Sequence, residues 1–69
     1  PNPAADQLWL KGEGIDPISP VRISDITGRT AAILTLNGGA LAIDELVPGI
    51  YTASVLVNGV PEELRFRKE

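Results

Sequence analysis

The chain has 69 residues with no cysteine and no histidine, which excludes disulfides, thiolate metal sites and any side chain that ordinarily titrates near neutral pH. A formal net charge of −3 argues against a nucleic-acid backbone or an anionic membrane as the main partner, since both attract Lys and Arg. The hydrophobic content of 43% suits one small globular domain, and apolar runs such as Ala31-Ala32-Ile33-Leu34 are too short to span a bilayer.

Residues 1–5 begin Pro1-Asn2-Pro3, which resists both helix and ladder pairing, so they read as a linker in a piece of something longer. From there apolar and polar residues alternate, with turn residues interrupting them in the manner of a β-sandwich or barrel. Residues 7–11 predict a first strand with Leu8 and Leu10 on one face and Trp9 on the other. Gly12-Glu13-Gly14 ends it. Residues 15–20 hold two prolines and read as a loop or short edge piece.

Residues 21–24 predict a strand with Val21 and Ile23 inward. Asp25-Ile26-Thr27-Gly28 reads as a turn, because Asp can accept from amides ahead of it and Gly supplies a positive φ. Residues 30–36 return as a strand with Ala32, Leu34 and Leu36 inward, and Asn37-Gly38-Gly39 is a tight reversal into a short strand at 40–43 carrying Leu41 and Ile43.

Residues 50–57, rich in β-branched side chains, predict the strongest strand, with Tyr51, Ala53, Val55 and Val57 on one face. Asn58-Gly59 is the best hairpin signal, since both residues accept the positive φ of a type I′ turn. Residues 60–67 predict a last strand with Val60, Leu64 and Phe66 inward; Pro61 and its charges suit an edge. The whole predicts one all-β domain over 1–69, an immunoglobulin-like antiparallel β-sandwich of six or seven strands in two packed sheets. Its edge strands are candidates for pairing two copies into a homo-dimer.

The sharpest local pattern is Leu46-Val47-Pro48-Gly49-Ile50-Tyr51. Pro48 fixes φ, Gly49 allows a conformation barred to other residues, and Tyr51 stands where a tyrosine clamps a sandwich corner through its hydroxyl. A clamp is favoured over a ligand-binding role.

Reaction chemistry finds little to use. Ser19, Ser24 and Ser54 have no histidine base, and adjacent Asp44 and Glu45 point to opposite sides of a strand end. Asp16, Asp25, Asp44 and Glu45 lie near turns without the spacing of a calcium loop. The expectation is a non-enzyme with no cofactor and no metal. Two features suit recognition instead. Trp9 is aimed outward, as interface tryptophans are, although covering a sheet edge serves equally well. Arg65, Arg67 and Lys68 are expected along one side of the last strand and tail, and an alternating-charge edge is also ordinary protection against aggregation.

Taken in order, these blocks resemble the C-terminal sorting domains of the type IX (Por) secretion system of Bacteroidetes-type bacteria. Pro1-Asn2-Pro3-Ala4 with Leu8 and Leu10 resembles the family's opening. Val21-x-Ile23 with Asp25-Ile26-Thr27-Gly28-Arg29 resembles its second block. Ile43-Asp44 leading to Leu46-Val47-Pro48-Gly49-Ile50-Tyr51, then Val55, resembles its third. Leu64-Arg65-Phe66-Arg67-Lys68 resembles its basic and apolar final strand, although Glu69 follows where many members close on Lys or Arg.

The resemblance implies a signal read by an outer-membrane translocon, with a sortase-like protease often cutting upstream of the domain. It implies passage through the periplasm to the outer membrane, cell surface or medium. With it, Trp9, Arg65, Phe66, Arg67 and Lys68 become the recognition candidates, and deleting the last several residues is expected to block export while leaving the fold mostly soluble. The rival reading is an immunoglobulin- or fibronectin-like adhesion or spacer module, which shares the Pro48-Gly49-Tyr51 corner. A carbohydrate-binding sandwich usually wants several exposed aromatics, and this chain has one Trp, one Tyr and one Phe.

Overall fold

The computed structural model describes residues 6–10 and 12–69. Pro1, Asn2, Pro3 and the Lys11 end of the first predicted strand lie outside the described residues. Six strands form: β1 (Gln7–Trp9), β2 (Ile18–Asp25), β3 (Thr30–Asn37), β4 (Ala40–Ala42), β5 (Gly49–Val57) and β6 (Val60–Lys68). All neighbouring pairs are antiparallel, in the order β1-β4-β3-β2-β5-β6.

The connections follow local chemistry. Asn58 at φ 53° and Gly59 at φ 80° make the expected mirror-image turn between β5 and β6. Gly38 and Gly39 take φ 63° and 85° between β3 and β4. β2, β3 and β4 thus succeed one another by tight turns, and β5 returns past them to lie beside β2, which is a Greek key. A register shift at Ile23/Ser24 puts a bulge between β2 and β3, where local twist increases.

One ladder therefore runs through all six strands, in place of the two separate sheets that alternation suggested. It curls. Leu8, Leu10, Leu41 and Ile43 from the β1–β4 side join Val21, Ile23, Leu36, Tyr51, Ala53, Val55 and Phe66 in a single buried cluster. The joint between β3 and β4 is one register pair, Asn37 with Ala40, so this is where the ladder has least to resist bending. The β1–β2 connection adds a second tie at the far end. Ile15 bridges to Val57, and the Asn58 N–H donates to the Gly14 carbonyl at 2.8 Å.

The inward positions expected on the first five strands are buried or half-buried, with Ala32, Leu34 and Val57 packed at the margin. Four local expectations are corrected. Residues 18–20 belong to β2, an interior strand. Pro20 is tolerated there because the β2–β5 pairing begins only at Arg22. Val60 and Leu64 share the face of Phe66 but are 58% and 38% exposed: Leu64 borders an open groove, and Val60 lies next to the hairpin turn outside the buried cluster. Lys68 is on that same face, opposite Arg65 and Arg67, and only 8% exposed. Gly49 does not take a positive φ, and a Cβ there would meet only the Tyr51 ring at 3.7 Å, ordinary contact.

Candidate recognition surface

The Tyr51 corner is built as its residues imply. The chain leaves Ile43 through a turn in which the Leu46 N–H donates to the Ile43 carbonyl at 3.1 Å. It then passes Val47 and Pro48 into β5. The Tyr51 hydroxyl donates to the Val47 carbonyl at 2.6 Å, and the Tyr51 ring stacks on Phe66 with centroids 5.8 Å apart. A buried phenol is thereby paired, and the crossover into β5 is held at both ends of one side chain. Tyr51 is a clamp.

Beside it in register, Asp25 pairs with Tyr51 across β2 and β5 and organises the next turn. Its Oδ1 accepts from the Thr27 hydroxyl at 2.6 Å, the Thr27 N–H at 2.9 Å and the Arg29 N–H at 3.1 Å. Gly28 takes φ 88° and donates to the Asp25 carbonyl at 3.0 Å, closing the turn. The Thr27 hydroxyl bond holds the Asp25 carboxyl below its ordinary value. The Thr27 and Arg29 amides and the Arg29 charge act in the same direction, against partial desolvation. Arg22 finishes the turn from outside, with Nε donating to Thr30 Oγ1 at 2.7 Å.

The residues singled out for the family resemblance thus divide. Leu8, Leu10, Tyr51 and Val55 are core, and Leu46 packs against it. Asp25 and Gly28 make a turn, and Pro48 and Gly49 lead into β5. Ile50 sits on the outer face, paired with Arg67. Among the recognition candidates, Trp9 is 58% exposed where its neighbours Leu8 and Leu10 are buried. Arg65 and Arg67 are exposed on the outer face of β6. Phe66 and Lys68 are not surface features: Phe66 is 1% exposed against Tyr51, and Lys68 is 8% exposed, its Nζ donating to the Glu69 main-chain oxygen at 2.9 Å.

Two surfaces were not foreseen. An open, mostly apolar groove of ≈ 410 Å³ runs between the β1 side and the β5–β6 hairpin, bordered by Trp9, Leu10, Ile15, Val57 and Leu64. The outer face carries a shallower polar depression of ≈ 280 Å³, where Arg22, Asp25, Glu63 and Arg65 mix both signs. Its rows follow from register, since Arg22, Ser54 and Glu63 align across three strands, as do Ser24, Thr52 and Arg65. Asp44 and Glu45 are exposed in a turn. Among the described residues no three acidic side chains gather as metal ligands would, and no helix is long and apolar enough to cross a membrane. Comparison with protein-family models, curated proteins and solved structures finds no match to the chain.

Proposed function

We propose that this chain is a sorting signal of the type IX kind, a folded surface read by an outer-membrane translocon rather than a reaction centre. In this reading it directs a parent protein through the periplasm to the cell surface, with a sortase-like protease cutting upstream of the domain. We take the curled sheet to be an immunoglobulin-like sandwich, with β1 and β4 as one layer and β3, β2, β5 and β6 as the other. The single β3–β4 register pair and the tyrosine corner at the start of β5 support that assignment.

One observation carries the functional reading. Most of the described motif residues are spent on core, turn and corner, while Arg65 and Arg67 stand exposed and alternate along an edge strand. A scaffold that presents a basic edge suits a transporter that accepts many different cargoes. The translocon is then expected to read Arg65, Arg67 and Trp9, not Phe66 or Lys68.

Substitution tests this better than truncation, because removing the last residues also removes Phe66 from the core. The chain is fused behind a periplasm-targeted fluorescent protein in a type IX-competent bacterium. The wild-type fusion should reach the surface, and Arg65→Ala/Arg67→Ala should stay folded but remain in the periplasm. Retention of the wild-type fusion overturns the proposal. It would favour the adhesion or spacer reading, which the Tyr51 corner supports equally.

A further inference from the structure

The last strand carries its charges in reversed order around one residue. In β6, Glu62 and Glu63 precede Leu64, and Arg65 and Arg67 follow it. One side of β6 is paired with β5 from Val60 to Lys68, and among the described residues the other side is a sheet edge. In an antiparallel ladder, residues of hydrogen-bonded pairs aim N–H and C=O at their partner, and the residues between them aim away. The two-residue turn makes Val57 and Val60 the closing hydrogen-bonded pair. By alternation, Glu62, Leu64, Phe66 and Lys68 aim their backbone groups at β5, while Pro61, Glu63, Arg65 and Arg67 aim theirs outward. Pro61 therefore costs the β5–β6 ladder nothing, and Glu63, Arg65 and Arg67 offer free donors and acceptors.

We propose that a second copy of this chain pairs antiparallel on this edge, with Leu64 of each β6 opposite Leu64 of the other. Only outward-aimed residues can form the hydrogen-bonded pairs of the new ladder, which restricts the registers available. With Leu64 at the two-fold axis, Glu63 stands opposite Arg65 of the second copy, and Arg65 opposite its Glu63. The neighbouring register on one side puts Glu63 opposite Glu63, and the one on the other side puts Arg65 opposite Arg65. Opposite charges facing each other across strands stabilise and like charges destabilise. The Arg65 register also sets Glu63 opposite Arg67, so the Leu64 register is distinguished as the one of the three that pairs opposite charges with no like pair. That register also brings the two half-exposed Leu64 side chains together in a non-hydrogen-bonded pair, where side chains lie closest. The contact is self-complementary and closed, as a two-fold dimer requires.

Sedimentation of the purified full chain across a concentration series tests this without reference to sorting. The wild type should dimerise reversibly. Glu63→Arg and Arg65→Glu should each raise the dissociation constant about tenfold or more, because each sets like charges opposite one another. An equimolar mixture of those two variants should recover dimers, since each now faces its opposite charge. The doubly reversed Glu63→Arg/Arg65→Glu chain should recover them alone. Circular dichroism confirms that each variant keeps its strands. A wild type that stays monomeric up to about 1 mM overturns the proposal. So does a dimer indifferent to both reversals, or a mixture that fails to associate.

Discussion

The two ends of the β5–β6 hairpin share one alternating pattern and are built in opposite ways. At the corner end, Tyr51 and Phe66 stack, the Tyr51 hydroxyl closes on Val47, and the Asp25 turn lies alongside in register. At the turn end, Val60 and Leu64 occupy equivalent inward positions yet stay exposed, Leu64 along an open groove. The same side-chain direction buries a residue only where another part of the curled sheet lies across from it. β6 is therefore half core strand and half exposed edge.

The largest test of that contrast is truncation of matched side chains. Phe66→Ala should cost about 3–5 kcal/mol, enough to threaten folding of so small a domain, whereas Leu64→Ala should cost under about 1 kcal/mol. Denaturant midpoints measure both, and equal losses would break the distinction. Next in size is the tie that holds the turn end to the β1–β2 connection. Gly14 has φ 85°, and a Cβ there would sit 2.7 Å from the Asn58 side chain. Gly14→Ala should therefore cost about 1–3 kcal/mol, while Gly49→Ala, at the corner end and without a positive φ, should stay within about 0.5 kcal/mol.

Smaller effects sharpen the corner itself. Tyr51→Phe leaves the stacking on Phe66 and removes only the bond to Val47, so a loss of about 1 kcal/mol is expected by thermal or denaturant unfolding. The last effect is a dependence on pH. The Asp25 carboxyl is held below its ordinary value of 3.8, so its charged form favours the folded state. That contribution is fully present above 3.8 and fades as pH falls through the lower folded value. Asp25→Asn should therefore lower the melting midpoint at pH 7 and differ progressively less from wild type as acid is added. A constant difference down to strongly acid pH would assign the effect to geometry alone.

Much is legible in the amino-acid sequence itself. Alternation with period two set the inward faces of β2, β4 and β5, because successive side chains on a strand must point to opposite sides. Asn58-Gly59 announced its turn because few residue pairs tolerate two positive φ values. Pro48 and Tyr51 announced the corner because the clamp spans only a few residues. The candidate surface was half legible: Trp9, Arg65 and Arg67 are outward, as a strand pattern can say.

What alternation could not supply was the neighbour across the fold. It assigned Val60, Leu64 and Phe66 one fate, and placed Lys68 with the arginines although parity puts it beside Phe66 on the other face. It gave no sign that Gly14 would meet Asn58, a contact between distant segments with no local signature. Nor could it tell one curled ladder from two sheets, which turns on whether β3 and β4 keep a single shared pair. Side-chain direction is a property of the local backbone and is written in sequence. Burial depends on what packs opposite, and only the closed tertiary structure decides that.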